Sequence, residues 1–202
     1  MFKRLFAFLI TITLFFCLSG CGKKVAYQTT TLEYKNGDTV YASYSYTYTV
    51  DNKPAIITAS FENSMVEDYI DVYSYNETGD IVSYSRKYEN SIEEVYSAEK
   101  ITNNKYLFKD DKGAEYLTII FDNTGFIVSS RYANGYVTEY AYSYDKNGKP
   151  LTFKQLNITP SGSSRIIDYE INFTDSTSCQ IKPVGEAAAD GYYYTATYNI
   201  IK

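Results

Sequence analysis

Histidine and tryptophan are missing from all 202 residues. His is the usual general base near neutral pH and the commonest transition-metal ligand, so its absence excludes zinc hydrolase and Ser-His-Asp chemistry, and no metal or cofactor is expected. The lack of Trp argues against a glycan specialist. Positive charge is also short: 19 Lys and Arg face 24 Asp and Glu, a net of −5, which leaves no basic patch for nucleic acid. Cysteine occurs only as Cys17, Cys21 and Cys179. Long apolar runs are confined to Leu5 to Leu18, interrupted by Thr11 and Thr13. As a helix this stretch would rise about 21 Å at about 1.5 Å per residue, short of the roughly 30 Å hydrocarbon core, so a permanent transmembrane span is disfavoured.

The run follows Lys3-Arg4 and ends in small residues before Cys21, the plan of a secretory signal. Leu18-Ser19-Gly20-Cys21 resembles the lipobox of bacterial lipoproteins. The resemblance implies that residues 1–20 are removed and that the Cys21 thiol receives a diacylglyceryl group. Each buried CH₂ contributes about 0.8 kcal/mol, and two or three acyl chains give the double anchor that one does not. The implied location is the outer face of a bacterial plasma membrane, or an outer membrane where the cell has one. Residues 21–30, with Gly22, Lys23 and Lys24, read as a polar tether, and 31–202 as one domain.

Cleavage takes Lys3 and Arg4 but no acid, leaving 17 basic and 24 acidic side chains, net −7. Cys17 leaves with the signal and Cys21 carries lipid, so the exported domain has no intramolecular disulfide to make. Cys179 is expected to be buried and inert, the alternative being a cross-link between two copies.

What the chain has in quantity is aromatic: 24 Tyr and 11 Phe. They fall at strand spacing. Val40, Ala42, Tyr44, Tyr46, Tyr48 and Val50 occupy even positions, while Ser43, Ser45, Thr47 and Thr49 fill the odd positions after Tyr41. The alternation returns in Tyr136 to Tyr144, in Ile167 to Phe173 and in Tyr192 to Ile200. Successive strand side chains point to opposite faces, so each segment has one face to bury and one for water, which is antiparallel sheet logic. Asn36-Gly37, Thr78-Gly79, Thr124-Gly125, Asn134-Gly135 and Asn147-Gly148 supply turns. Ser91 to Lys100 has capping-box spacing for a helix but reads equally as a strand, and Gly185 to Asp190 is one helical turn or a loop. The expected fold is all-β, an antiparallel hairpin meander of roughly nine to twelve strands with little helix, closed as a sandwich or curled as an open half-barrel.

Three segments align without gaps: Tyr73-Ser-Tyr75-Asn76-Glu-Thr-Gly79, Ile119-Ile-Phe121-Asp122-Asn-Thr-Gly125 and Tyr142-Ser-Tyr144-Asp145-Lys-Asn-Gly148. Asn76, Asp122 and Asp145 are spaced by 46 and 23 residues, which fits a unit of 23, and a degenerate copy sits at Tyr48 to Pro54. The pattern Tyr-x-Tyr-Asp-x-x-Gly resembles the YD repeats of Rhs-type bacterial surface proteins, over residues 70–155. The resemblance implies hairpins that wrap or scaffold, and no catalytic residue carries over. Ile119 and Asn76 depart from the family pattern, and the units are too few for a cocoon-like shell.

The repeated Asp and Asn read as turn leaders rather than calcium ligands, and the acidic stretch Glu62, Glu67, Asp68, Asp71, Glu77, Asp80 as a solvated face. Glycosidase-like carboxylate pairs would have to come from Glu93-Glu94 or Asp110-Asp111, but adjacent acids on a strand diverge. The sequence therefore points first to a non-enzymatic binding or scaffolding module, facing a protein or an envelope polymer. The alternative is a carrier that shelters a lipid or other apolar ligand in a curled sheet, and a carboxylate hydrolase ranks last. Tyr73, Tyr75, Tyr140, Tyr142 and Tyr144 are the expected contact face, as exposed rings giving large area with a polar tip.

Overall fold

The computed structural model describes residues 15–16, 26–50, 53–63, 65–89, 91, 93–121, 127–145 and 150–201. Fifteen strands follow in chain order. The first six are β1 (Phe15–Phe16), β2 (Ala26–Asn36), β3 (Thr39–Tyr48), β4 (Pro54–Phe61), β5 (Tyr69–Tyr75) and β6 (Ile81–Tyr88). Next come β7 (Glu94–Thr102), β8 (Lys105–Lys109), β9 (Glu115–Phe121), β10 (Ile127–Tyr132) and β11 (Val137–Tyr144). The last are β12 (Pro150–Ile158), β13 (Ser164–Phe173), β14 (Ser178–Pro183) and β15 (Tyr192–Ile201). The segment read as helix or strand contributes strand β7 from Glu94, and Gly185–Asp190 forms a short 3-10 helix of about two turns.

Each strand from β3 onward pairs antiparallel with the next, and β2 pairs with both β3 and β15. The meander therefore closes. An up-and-down sheet can close antiparallel only with an even strand number, and β2 to β15 supply fourteen. The result is one barrel, neither an open half-barrel nor a two-sheet sandwich. Closure is achieved by Ala26–Asn36, whose register with β15 runs from Ala26 opposite Ile201 to Asn36 opposite Tyr192. The strand thus begins inside the stretch 21–30 read as a tether, because Ala26 to Thr29 pair with Tyr198 to Ile201 and cover the end of the β15 edge. Beside it, β1 adds a two-residue pairing to Tyr27 and Gln28.

Alternation sets what lies inside. On β3, Ala42, Tyr44 and Tyr46 are buried while Ser45 and Thr47 are exposed. One contiguous core gathers Leu32, Ile57, Tyr69, Phe108, Phe153 and Ile181 with further rings around them. Rings stack at 4.5 Å for Phe153 and Tyr169 and at 4.0 Å for Tyr96 and Tyr116, arrangements that add about 0.5–1.5 kcal/mol per pair beyond burial. Cys179 is a buried thiol, 2% exposed and outside any disulfide.

The outward face is mixed: Thr31 bonds to Thr197 and Arg131 to Glu139 at 2.8 Å, while Ile70, Val95 and Ile166 are exposed among the hydroxylated and charged side chains. A barrel that spans a bilayer shows the reverse polarity, with an apolar outer band around a polar interior.

Because strands alternate in direction, the links after β3, β5, β7, β9, β11 and β13 leave one end, where β2 also begins. We call this the entry rim. Links after β2, β4, β6, β8, β10, β12 and β14 form the distal rim. The 23-residue period is one hairpin of this meander, so the aligned segments all run into links on the entry rim.

Candidate functional site

The turn after β5 has the geometry behind the repeat. Asn76 N–H donates to the Asp80 carbonyl at 3.0 Å, and the Asn76 Oδ1 accepts from Asp80 N–H at 2.9 Å. Gly79 closes it with φ +77°, a left-handed conformation in which a Cβ would also meet Lys53 Nζ. Asp110 leads the same turn after β8, accepting from Lys112 N–H and Ala114 N–H, which is a copy the sequence alignment passed over. Asp145 directly follows β11, whereas Asp122, Gly125 and Gly148 lie outside the described residues, as does Cys21.

The five tyrosines expected as an exposed contact face do not form one. Tyr73 and Tyr75 continue the inward register of β5, and Tyr140, Tyr142 and Tyr144 that of β11, so all five are buried or half-buried. The Tyr75 hydroxyl donates to the Pro54 carbonyl at 2.8 Å and the Tyr142 hydroxyl to that of Ile127 at 3.3 Å. Tyr140 packs on Phe153 and Tyr142, and Tyr144 on Tyr142. Burial holds the hydroxyls of Tyr73, Tyr75 and Tyr140 well above the ordinary phenol range.

Within the barrel the charged centre is Asp71 with Arg86. The two residues sit directly opposite each other on β5 and β6, and Arg86 Nε and Nη2 donate to the two Asp71 oxygens at 2.7 and 2.8 Å. The Tyr84 hydroxyl donates to Asp71 at 3.1 Å, and the guanidinium lies 3.9 Å above the Tyr69 ring. Burial alone would lower the guanidinium pKa, but hydrogen bonding to Asp71 and the neighbouring phenols outweigh it and push it well above its usual value. Asp71 is therefore not part of the solvated acidic face, being 1% exposed, whereas Glu62, Glu67 and Glu77 do face water. Beside the pair lies a cavity of about 20 Å³, lined by Tyr73, Phe108 and Ile119 and by Tyr132 from β10. It has room for about one water molecule.

The aromatic surface that does reach water is elsewhere, on the distal rim. A run of rings leads out of the core from Phe153 through Tyr169 and Tyr194 to Tyr34, whose ring stacks on Tyr192 at 5.1 Å. Tyr41 completes it edge-on at 5.4 Å from Tyr192 and is 37% exposed. A register shift between β2 and β3 leaves Tyr41 as the extra residue of a bulge, which turns its ring toward the other two. Burial, then the Tyr192 and Asp190 charges, push the Tyr34 hydroxyl up to about 12. Tyr41 is raised first by Tyr192, and Glu62 adds to the shift. Three rings with Glu62 and Asp190 beside them make a platform suited to planar or cationic groups. The sequence signal was Tyr41 itself, an aromatic among the hydroxylated odd positions of β3.

No protein-family model matches the chain, and no curated protein matches it.

Proposed function

We propose that the chain is a lipid-anchored, non-enzymatic binding or scaffolding module of the bacterial cell envelope. On this reading Cys21 holds a water-facing barrel at the membrane surface, and the Tyr34, Tyr41 and Tyr192 platform meets a protein or envelope polymer. The observation that carries it is the division between inside and outside. Among the described residues the core packs rings and aliphatic side chains around the Asp71–Arg86 pair, whose neighbouring cavity of about 20 Å³ is far smaller than a lipid chain, while a stacked aromatic surface is left at the rim. Carriage of an apolar ligand has no comparable support. The buried carboxylate of Asp71 is fully engaged by Arg86 and Tyr84, which makes it a brace rather than an acid–base group.

The test is retention of the purified domain on isolated cell walls of its host. Wild type is expected to be retained and Tyr41→Ala and Tyr192→Ala to elute several-fold earlier, with Ser161→Ala unchanged. Equal retention of all four, or none for wild type, counts against the platform.

A further inference from the structure

We propose that the barrel stands on the lipid surface on its entry rim and holds the distal rim, with the Tyr41 platform, away from the membrane. The proposal rests on the reading of Cys21 as lipidated. Two independent observations carry it, one of length and one of charge.

Ala26 opens β2 on the entry rim, five residues after Cys21. Fully extended, five residues span at most about 18 Å. The 11 residues of β2 run about 37 Å at about 3.4 Å each, and a strand tilt of about 40° leaves a barrel roughly 28 Å tall. A tether of about 18 Å cannot run the height of the wall, so the distal rim cannot be turned down onto the bilayer that holds Cys21. The entry rim is confined near the lipid, and only the lean of the barrel is left to be set.

Charge sets the lean. Among the described residues, the distal links carry ten acids against the single Lys112, with Glu62, Glu67, Asp68, Asp110 and Asp111 among them. The described residues of the entry links carry Glu77, Asp80, Asp145 and Asp175 against Lys53; by sequence these links also hold Asp51, Asp122, Lys146 and Lys149, and the tether Lys23 and Lys24, so this rim is far less negative than the distal one. An anionic lipid surface attracts nearby lysines and repels acids within a Debye length, about 8 Å at physiological salt. A barrel lying on its side would bring the acidic rim into that layer; an upright one keeps it outside. The partner of the entry rim is thus the lipid headgroup layer, brought to it by the short tether and by the weaker negative charge of this rim. The acidic rim and the aromatic platform face whatever lies beyond the membrane.

The experiment uses the full lipidated chain in phosphatidylglycerol vesicles carrying a headgroup-linked fluorescence quencher. Thr78→Cys reports the entry rim and Ser161→Cys the distal rim; both positions are exposed, and the buried Cys179 thiol is expected to stay unlabelled in the folded protein. Quenching several-fold stronger at position 78 than at 161, with the difference shrinking at high salt, is expected. Equal quenching, or stronger quenching at 161, overturns the orientation. Intact mass separates the two ideas: a chain without diacylglyceryl on Cys21 overturns the anchor and the orientation together, whereas a lipidated chain with equal quenching overturns the orientation alone.

Discussion

Arg86 reaches Asp71 with two hydrogen bonds of 2.7 and 2.8 Å from the neighbouring strand, inside a barrel whose core is otherwise mostly rings and aliphatic side chains. Both partners are nearly sealed from water, at 7% and 1% exposure. Such a pair is costly to break by halves, since removing one charge leaves the other desolvated. Asp71→Ala is expected to cost about 3–5 kcal/mol in chemical denaturation. The double replacement Asp71→Leu with Arg86→Met is expected to cost much less than either single change. A double variant as unstable as the singles would show that the pair holds the barrel by attraction alone.

The interior rings give a second expectation. Phe108 and Phe153 are 0% and 2% exposed and belong to the core that spans the barrel. Truncating either to Ala should cost about 3–5 kcal/mol, whereas Ser45→Ala on the outer face should stay within about 0.5 kcal/mol. A barrel built around an open lumen would tolerate the inner truncations far better.

Alkaline stability follows from the buried phenols. Tyr34 and Tyr116 are raised from 10.0 to about 12, and Tyr46, Tyr69, Tyr84 and Tyr194 are also raised well above 10.0, with burial the leading cause in each. The unfolded chain releases these protons near pH 10 and the folded one only above it, so between the two the folded state binds more protons and stability falls as pH rises. Below pH 10 these groups leave stability unchanged. The unfolding midpoint should drop steeply above pH 10, and most phenolate absorbance should appear together with unfolding. Phenolate signal from all tyrosines well before the loss of β structure would contradict the burial.

The strand content, the antiparallel pairing and the aromatic inner face were legible in the sequence, because a period of two is direct and strong in Val40 to Val50 and Tyr192 to Ile200. Closure was not, since it depends on Ala26–Asn36 meeting β15 some 165 residues later, as in Thr31 opposite Thr197, and periodicity carries no strand order. The side of each tyrosine was misjudged for a related reason. Tyr73 and Tyr140 share a face with core residues, but only the ring of strands shows that this face has no water on it. Asp71 and Arg86 left a trace that went unread: each sits in the inward register of its strand, between Tyr69 and Tyr73 and between Tyr84 and Tyr88. A charge at such a place on two neighbouring strands is the mark of a buried pair.

The most direct test of the account is native mass spectrometry of the domain from residue 22 onward, purified from its own host. A bare polypeptide mass is the result predicted by an interior given over to rings and one ion pair, with binding left to the rim. A stoichiometric lipid or other apolar molecule carried through purification would contradict it and place the function inside the barrel.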